Sequence, residues 1–170
     1  RKPVRQRQLL SALRRALSGH AAGPGVVAPS SLLDRSLGRS LAERYPLIIL
    51  VAEDNPINQK VILLLLERLG YRPDIVNNGA EALKALAGKD YDLVFMDVQM
   101  PVLDGLGAAR AIRALTFPKC QVPIVVLTAT SSTEELDPFL RDTASAILVK
   151  PVRIEDFERL LRKYGRHRSY

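Results

Sequence analysis

Leu93-Val94-Phe95-Met96-Asp97-Val98-Gln99-Met100-Pro101 is an apolar run that ends on a carboxylate and then breaks. Tyr91 to Met96 read as a strand, with the apolar run from Leu93 buried on both faces. Met100-Pro101 stops it, because the residue before proline is pushed into extended or turn geometry and proline has no N–H to offer a ladder. An acid at the C-terminal mouth of a buried strand lies in the crevice where open α/β sheets gather their chemistry. Asp97 is therefore read as a nucleophile, a metal ligand, or both. A strand-end Asp can also be a plain cap, so the choice depends on what the other strands carry at the same end.

Working outward, Leu47 to Ala52 is a second buried strand, and Pro56 to Leu69 a helix opened by Asn55-Pro56 and closed by Gly70. A strand at Asp74 to Asn77 follows, then a helix over Ala80 to Ala87 after the Asn78-Gly79 turn. Beyond Asp97 come a helix at Gly105 to Leu115, a strand at Pro123 to Leu127, a helix within Thr133 to Asp142, a strand at Ala146 to Val149 and a last helix at Ile154 to Tyr164. Five strands alternating with five helices predict an α/β fold with a parallel sheet, right-handed crossovers and helices on both faces. Asp137-Pro138 suits an N-cap and first helical position, so the fourth helix is expected to start late.

In a parallel sheet all strands end at one edge, which brings together Glu53-Asp54, Asp97, Thr128-Ala129 and Lys150-Pro151. Clustered carboxylates repel and raise one another's pKa values, so the group calls for a cation. Oxygen ligands with no His or Cys nearby point to Mg²⁺, which keeps several waters and suits phosphate chemistry. Asp97 could then attack a phosphoryl group, with the Lys150 ammonium, the Thr128 hydroxyl and the Ala129 N–H stabilising the phosphoryl oxygens. A turn, a cap or a surface lysine would explain each residue singly but not all of them together.

Glu53-Asp54-Asn55, Asp97 with Met100-Pro101 and Asp104-Gly105, Leu127-Thr128-Ala129 and Lys150-Pro151 resemble the response-regulator receiver domain over residues 47 to 164. The resemblance implies a flavodoxin-like sheet of strand order 2-1-3-4-5. Asn55-Pro56-Ile57-Asn58 and Val98-Gln99-Met100-Pro101 are similar to the receivers of hybrid sensor histidine kinases. It further implies that Asp97 accepts phosphate from a phosphohistidine, that Asp54, Asp97 and the Gln99 carbonyl bind Mg²⁺ directly with Glu53 acting through water, and that Thr128 and Lys150 engage the phosphoryl group. Gln99 and Thr130 flank the site and should set how long the phosphate lasts. The domain would be catalytic only in its own phosphorylation and dephosphorylation. The aromatic residue that the family carries three positions before the strand-five lysine is here Ile147, which favours a rival reading as a pseudo-receiver, an interaction module that keeps the fold without the chemistry. An aspartyl-phosphate hydrolase, the other rival, wants a second Asp two places after the nucleophile, where Gln99 stands.

The helix from Pro56 spreads Ile57, Val61, Ile62, Leu64, Leu65, Leu66 and Leu69 over an arc of about 200°, against the roughly 100° that a core requires. The resemblance implies that part of this arc, through Ile57, Ile62 and Leu66, docks a helical bundle carrying the histidine of a kinase or phosphotransfer protein, with the helix at Val4 to Leu17 as the competing cover.

The 170 residues carry a net charge of +7, but nine basic and two acidic residues lie in 1–46 and sixteen of each in 47–170. With one aromatic and no binding motif there, the basic stretch reads as a solvated helix face and no nucleic-acid partner is expected. Residues 1–18 form an amphipathic helix, 19–46 have linker composition with a possible helical stretch near Leu32 to Leu41, and 47–170 form the main domain. Lys2-Pro3-Val4-Arg5 echoes Lys150-Pro151-Val152-Arg153, so the first helix is expected to be the tail of a preceding receiver. Arg1 in place of Met suggests an excerpt. No apolar run approaches the roughly 20 residues of a membrane span, and Cys120, the sole cysteine, suits a reducing cytoplasm.

Overall fold

The computed structural model describes residues 40–132 and 137–165 of the chain. The helix expected at 1–18, the linker as far as residue 39 and the echo of Lys2-Pro3 lie outside them. Five parallel strands run β1 (Ile49–Ala52), β2 (Asp74–Val76), β3 (Leu93–Asp97), β4 (Ile124–Thr128) and β5 (Ala146–Val149), in the spatial order β2-β1-β3-β4-β5. The helices between and after them are α1 (Pro56–Arg68), α2 (Gly79–Gly88), α3 (Gly105–Arg113), α4 (Pro138–Thr143) and α5 (Ile154–Tyr164).

Alternation along the strands feeds two apolar layers. Ile49, Val51, Leu93, Phe95, Val125 and Leu127 point to one face, where α1 and α5 cover them through Ile62, Leu66, Phe157 and Leu161. Phe95 and Phe157 meet edge to face at 4.9 Å, an arrangement that adds roughly 0.5–1.5 kcal/mol to their burial. Leu50, Ala52, Val94, Met96, Ile124 and Val126 point the other way, against Ala82, Leu86, Ala108, Ile112 and Leu140 of α2, α3 and α4.

The loops at the C-terminal rim of the sheet are set by side-chain caps. Asn55 Oδ1 accepts from the N–H groups of Ile57 and Asn58, Asn78 Oδ1 from Glu81 and Asp104 Oδ1 from Gly107. Asp137 Oδ1 accepts from Phe139, with Pro138 in the first turn, so α4 does start late. Each such cap contributes about 1 kcal/mol and fixes where a loop at this rim ends.

Two expectations change. Residues 40–46 are not linker: Leu41–Arg44 form one helical turn closed by a reciprocal Ser40–Glu43 capping box, Leu41 is buried, and Tyr71 donates its hydroxyl to the Tyr45 carbonyl. Gly70, at φ 94°, makes room for this turn, since a Cβ there would lie 2.8 Å from Ser40. Ile62 and Leu66 are not a partner surface, because they are 2% and 0% exposed and form the stripe by which α1 grips the sheet. The solvent stripe of α1 is instead Ile57, Val61 and Leu64, at 71%, 45% and 56% exposure, spaced four and three residues apart as one face of a helix must be. Ile62→Ala should therefore cost about 2–4 kcal/mol and Val61→Ala no more than ~0.5 kcal/mol, both measured by urea unfolding.

Candidate functional site

Register brings the expected groups to one rim. Asp97 ends β3 and lies opposite Leu127 of β4, whose next residue is Thr128, and Lys150 follows β5 with its N–H donating to the Thr128 carbonyl at 2.7 Å. The Lys150–Pro151 peptide is cis. Lys150 Nζ sits 2.7 Å from Glu53 Oε2 and 2.8 Å from Asp97 Oδ2, with Glu53 fully buried and Asp97 nearly so. Asp97 Oδ1 also accepts from the Gln99 N–H at 3.3 Å. Thr128 is buried and its Oγ1 accepts from the Thr130 N–H, while Ala129 beside it is exposed. Asp54 is exposed at the same rim.

One ammonium thus faces two buried carboxylates. Burial pushes the Asp97 carboxyl above the ordinary carboxylate range, opposed by the hydrogen bond from Lys150 and assisted by the charge of Glu53. For Lys150, burial pulls downward, but the hydrogen bonds and charges of Asp97 and Glu53 outweigh it and hold the ammonium above its usual value. Lys150 therefore stays charged, and the surplus negative charge rests on the carboxylates.

One carboxylate oxygen each from Glu53, Asp54 and Asp97 lie within 4.8 Å of one another. An all-oxygen set of this charge fits a hard divalent cation, with Mg²⁺ the best match where few protein ligands and several waters are used. A shallow cleft of about 520 Å³ opens beside it, lined by Asp54, Val98, Gln99, Met100, Pro101 and Asp104.

The wall of that cleft is tightly built. A Cβ at Gly105 would run into the Asp97 carbonyl, and the Gly105 N–H donates to Val98 O at 3.0 Å. Leu103 N–H closes on Pro101 O at 2.7 Å, which makes Val102, at φ 67°, the centre of a γ-turn. A β-branched residue at positive φ stores on the order of 1–3 kcal/mol. Leu103 O in turn accepts from the Gly79 N–H at 2.9 Å, tying this wall to the start of α2.

Sequence reasoning named the charged groups but missed what holds Glu53. Its Oε1 accepts from Asn58 Nδ2 at 3.0 Å and from the Asn55 N–H at 3.2 Å, and its carbonyl accepts from Gln59 Nε2. The Asn55-Pro56-Ile57-Asn58 spacing was the available signal. It marked the helix start, but nothing local shows that a side chain five residues on reaches back to an acid.

Residues 49–162 match the response regulator receiver domain family. The chain is 34% identical over 131 residues to hybrid signal transduction histidine kinase G of Dictyostelium discoideum, covering 76% of this chain and 4% of that protein. The chain spans between 4% and 18% of the length of relatives such as these. Among solved structures it is similar to the receiver domain of a Pseudomonas aeruginosa PAO1 sensor histidine kinase, which holds a magnesium ion in its active-site cleft (37% identity, TM-score 0.64, 69% of this chain and 96% of that one). A Saccharomyces cerevisiae response-regulator receiver solved with a histidine phosphotransfer protein is also similar (31% identity, TM-score 0.63, 71% and 90%).

The raised pKa of Asp97 gives a testable sign. In ion-free protein its contribution to stability is greatest when it is protonated and declines as pH rises through the raised value. Asp97→Asn, which leaves Glu53 paired with Lys150, should therefore raise the Tm at neutral pH, with a gain that shrinks as acid protonates the wild-type carboxyl. Thermal melts across pH check this.

Proposed function

The chain belongs to the response regulator receiver domain family, and we propose that it is the phosphoacceptor of a multistep phosphorelay, taking a phosphoryl group from phosphohistidine onto Asp97. The observation that carries this reading is the Lys150 ammonium held within 2.8 Å of Asp97 Oδ2, beside Asp54 and the buried Thr128. An Asp97 carboxylate oxygen forms the new bond to phosphorus as the P–N bond to imidazole breaks, and the departing imidazole takes up a proton. Lys150 then serves the phosphoryl oxygens instead of the bare carboxylate, and the Thr128 hydroxyl and Ala129 N–H donate to them. Asp54 and Asp97, with the Gln99 carbonyl, would hold Mg²⁺, which would supply positive charge to offset that of the phosphoryl oxygens. Gln99 and Thr130, two places past Asp97 and Thr128, flank the site and set the acyl phosphate's lifetime. The match to a receiver with magnesium in its cleft supports the choice of ion.

A histidine phosphotransfer bundle, as in the yeast complex, is the proposed partner. Its docking face on α1 is Ile57, Val61 and Leu64, which face solvent, while Ile62 and Leu66 are buried against the sheet. Among the described residues no helix is long and apolar enough to cross a membrane. The parent is proposed to be a hybrid histidine kinase with a preceding receiver, its receivers in the cytoplasm, where the thiol of Cys120 stays free.

With Mg²⁺ and acetyl phosphate, intact mass should show one added phosphate on the wild type and none on Asp97→Asn. A wild type that gains none and binds no beryllofluoride is a pseudo-receiver. Val61→Ser with Leu64→Ser should slow transfer from a phosphorylated histidine bundle by about tenfold, the loss of roughly 1.4 kcal/mol of contact, while acetyl phosphate labelling is unchanged.

A further inference from the structure

Distance makes Glu53, Asp54 and Asp97 equal candidates for a cation, since the three oxygens lie within 4.8 Å of one another. Their partners make them unequal. Asp54 faces solvent, and Asp97 spends one oxygen on Lys150 and the other on a long bond from Gln99. Glu53 is fully buried and engaged on both sides: Oε2 pairs with Lys150 at 2.7 Å, and Oε1 takes the Asn58 amide at 3.0 Å and the Asn55 N–H at 3.2 Å. Its main chain is held separately, by Gln59 Nε2, which also donates to Asn77 Oδ1 at 3.0 Å.

We propose that Asn58 determines cation selectivity at this site, by holding Oε1 of Glu53 as a hydrogen-bond acceptor and so withholding a third carboxylate from the ion. The inference rests on the cation site proposed above. Two carboxylates, those of Asp54 and Asp97, suit a small ion that keeps most of its water, as Mg²⁺ does. Ca²⁺ takes six to eight oxygens in flexible geometry and gains most from an extra carboxylate. Removing the Asn58 amide leaves Oε1 with the Asn55 N–H alone and lets the side chain turn toward Asp54. The cluster then offers three acids, and the larger ion gains. Gln59 provides the internal comparison, since it steadies the same residue through the backbone without touching its carboxylate.

The test measures Mg²⁺ and Ca²⁺ affinities of the 170-residue chain by calorimetry. Asn58→Ala should raise the Ca²⁺-to-Mg²⁺ affinity ratio on the order of tenfold, the scale on which outer partners of metal ligands act. Asn58→Leu, closer in size, should do the same and stands in if the alanine variant folds poorly. Gln59→Ala should lower the Tm with the ratio unmoved. In a Glu53→Gln background the Asn58→Ala effect should vanish, since the carboxylate that it releases is gone. A ratio unchanged in both Asn58 variants while Mg²⁺ still binds overturns the inference and leaves the cation site standing. An equal shift in Gln59→Ala, or one that survives Glu53→Gln, overturns it as well. A wild type that binds neither ion removes the site and the inference together.

Discussion

One ammonium held between two buried carboxylates is the interaction on which the functional rim of this structure depends. Lys150 lies 97 residues from Glu53 in sequence, and its Nζ reaches both Glu53 and Asp97. That meeting requires β5 to pair with β4, β4 with β3 and β3 with β1, all parallel and in a register that ends them together. A one-residue slip in any pair would turn a charged side chain into an apolar layer. The two cores are what hold the register, through Val51, Phe95 and Val125 on one face and Leu50, Val94 and Ile124 on the other.

The charges themselves are a poor source of stability. Two buried acids share one base, and Asp54 adds a further negative group at the rim. Desolvation of such a set offsets much of the attraction within it. The apolar layers must therefore carry the fold, and the rim is left with an unbalanced field that favours positive ions and, with their help, phosphoryl oxygens. The same division appears in the loop that walls the cleft, where Val102 keeps a positive φ and Gly105 permits backbone to lie against backbone.

Sequence reading succeeded where local and global signals agreed. The strand ends carrying Asp97, Thr128 and Lys150 stood out because apolar runs stop abruptly there, and the late start of α4 followed from Asp137-Pro138. It failed where several answers satisfy the same pattern. With seven apolar residues on α1, periodicity could not tell which stripe meets the sheet, and only the placement of β1 and β3 buries Ile62 and Leu66 while leaving Val61 and Leu64 outside. Ser40 to Pro46 has the composition of a connector, yet a capping box and close packing of Ser40 on Gly70 order it. No propensity foretells Val102 at φ 67°, because a β-branched residue there contradicts its own preference. The hold of Asn58 on Glu53 joins a helix to a strand end, which is a tertiary fact.

The single turn at Leu41–Arg44 has one more consequence. It is fastened to Leu69, Gly70 and Tyr71, where α1 has finished and β2 has yet to begin, so it sits at the pole of the sheet away from Asp97. Damage at the Ser40–Gly70 corner therefore falls on the end of the sheet remote from the acidic rim.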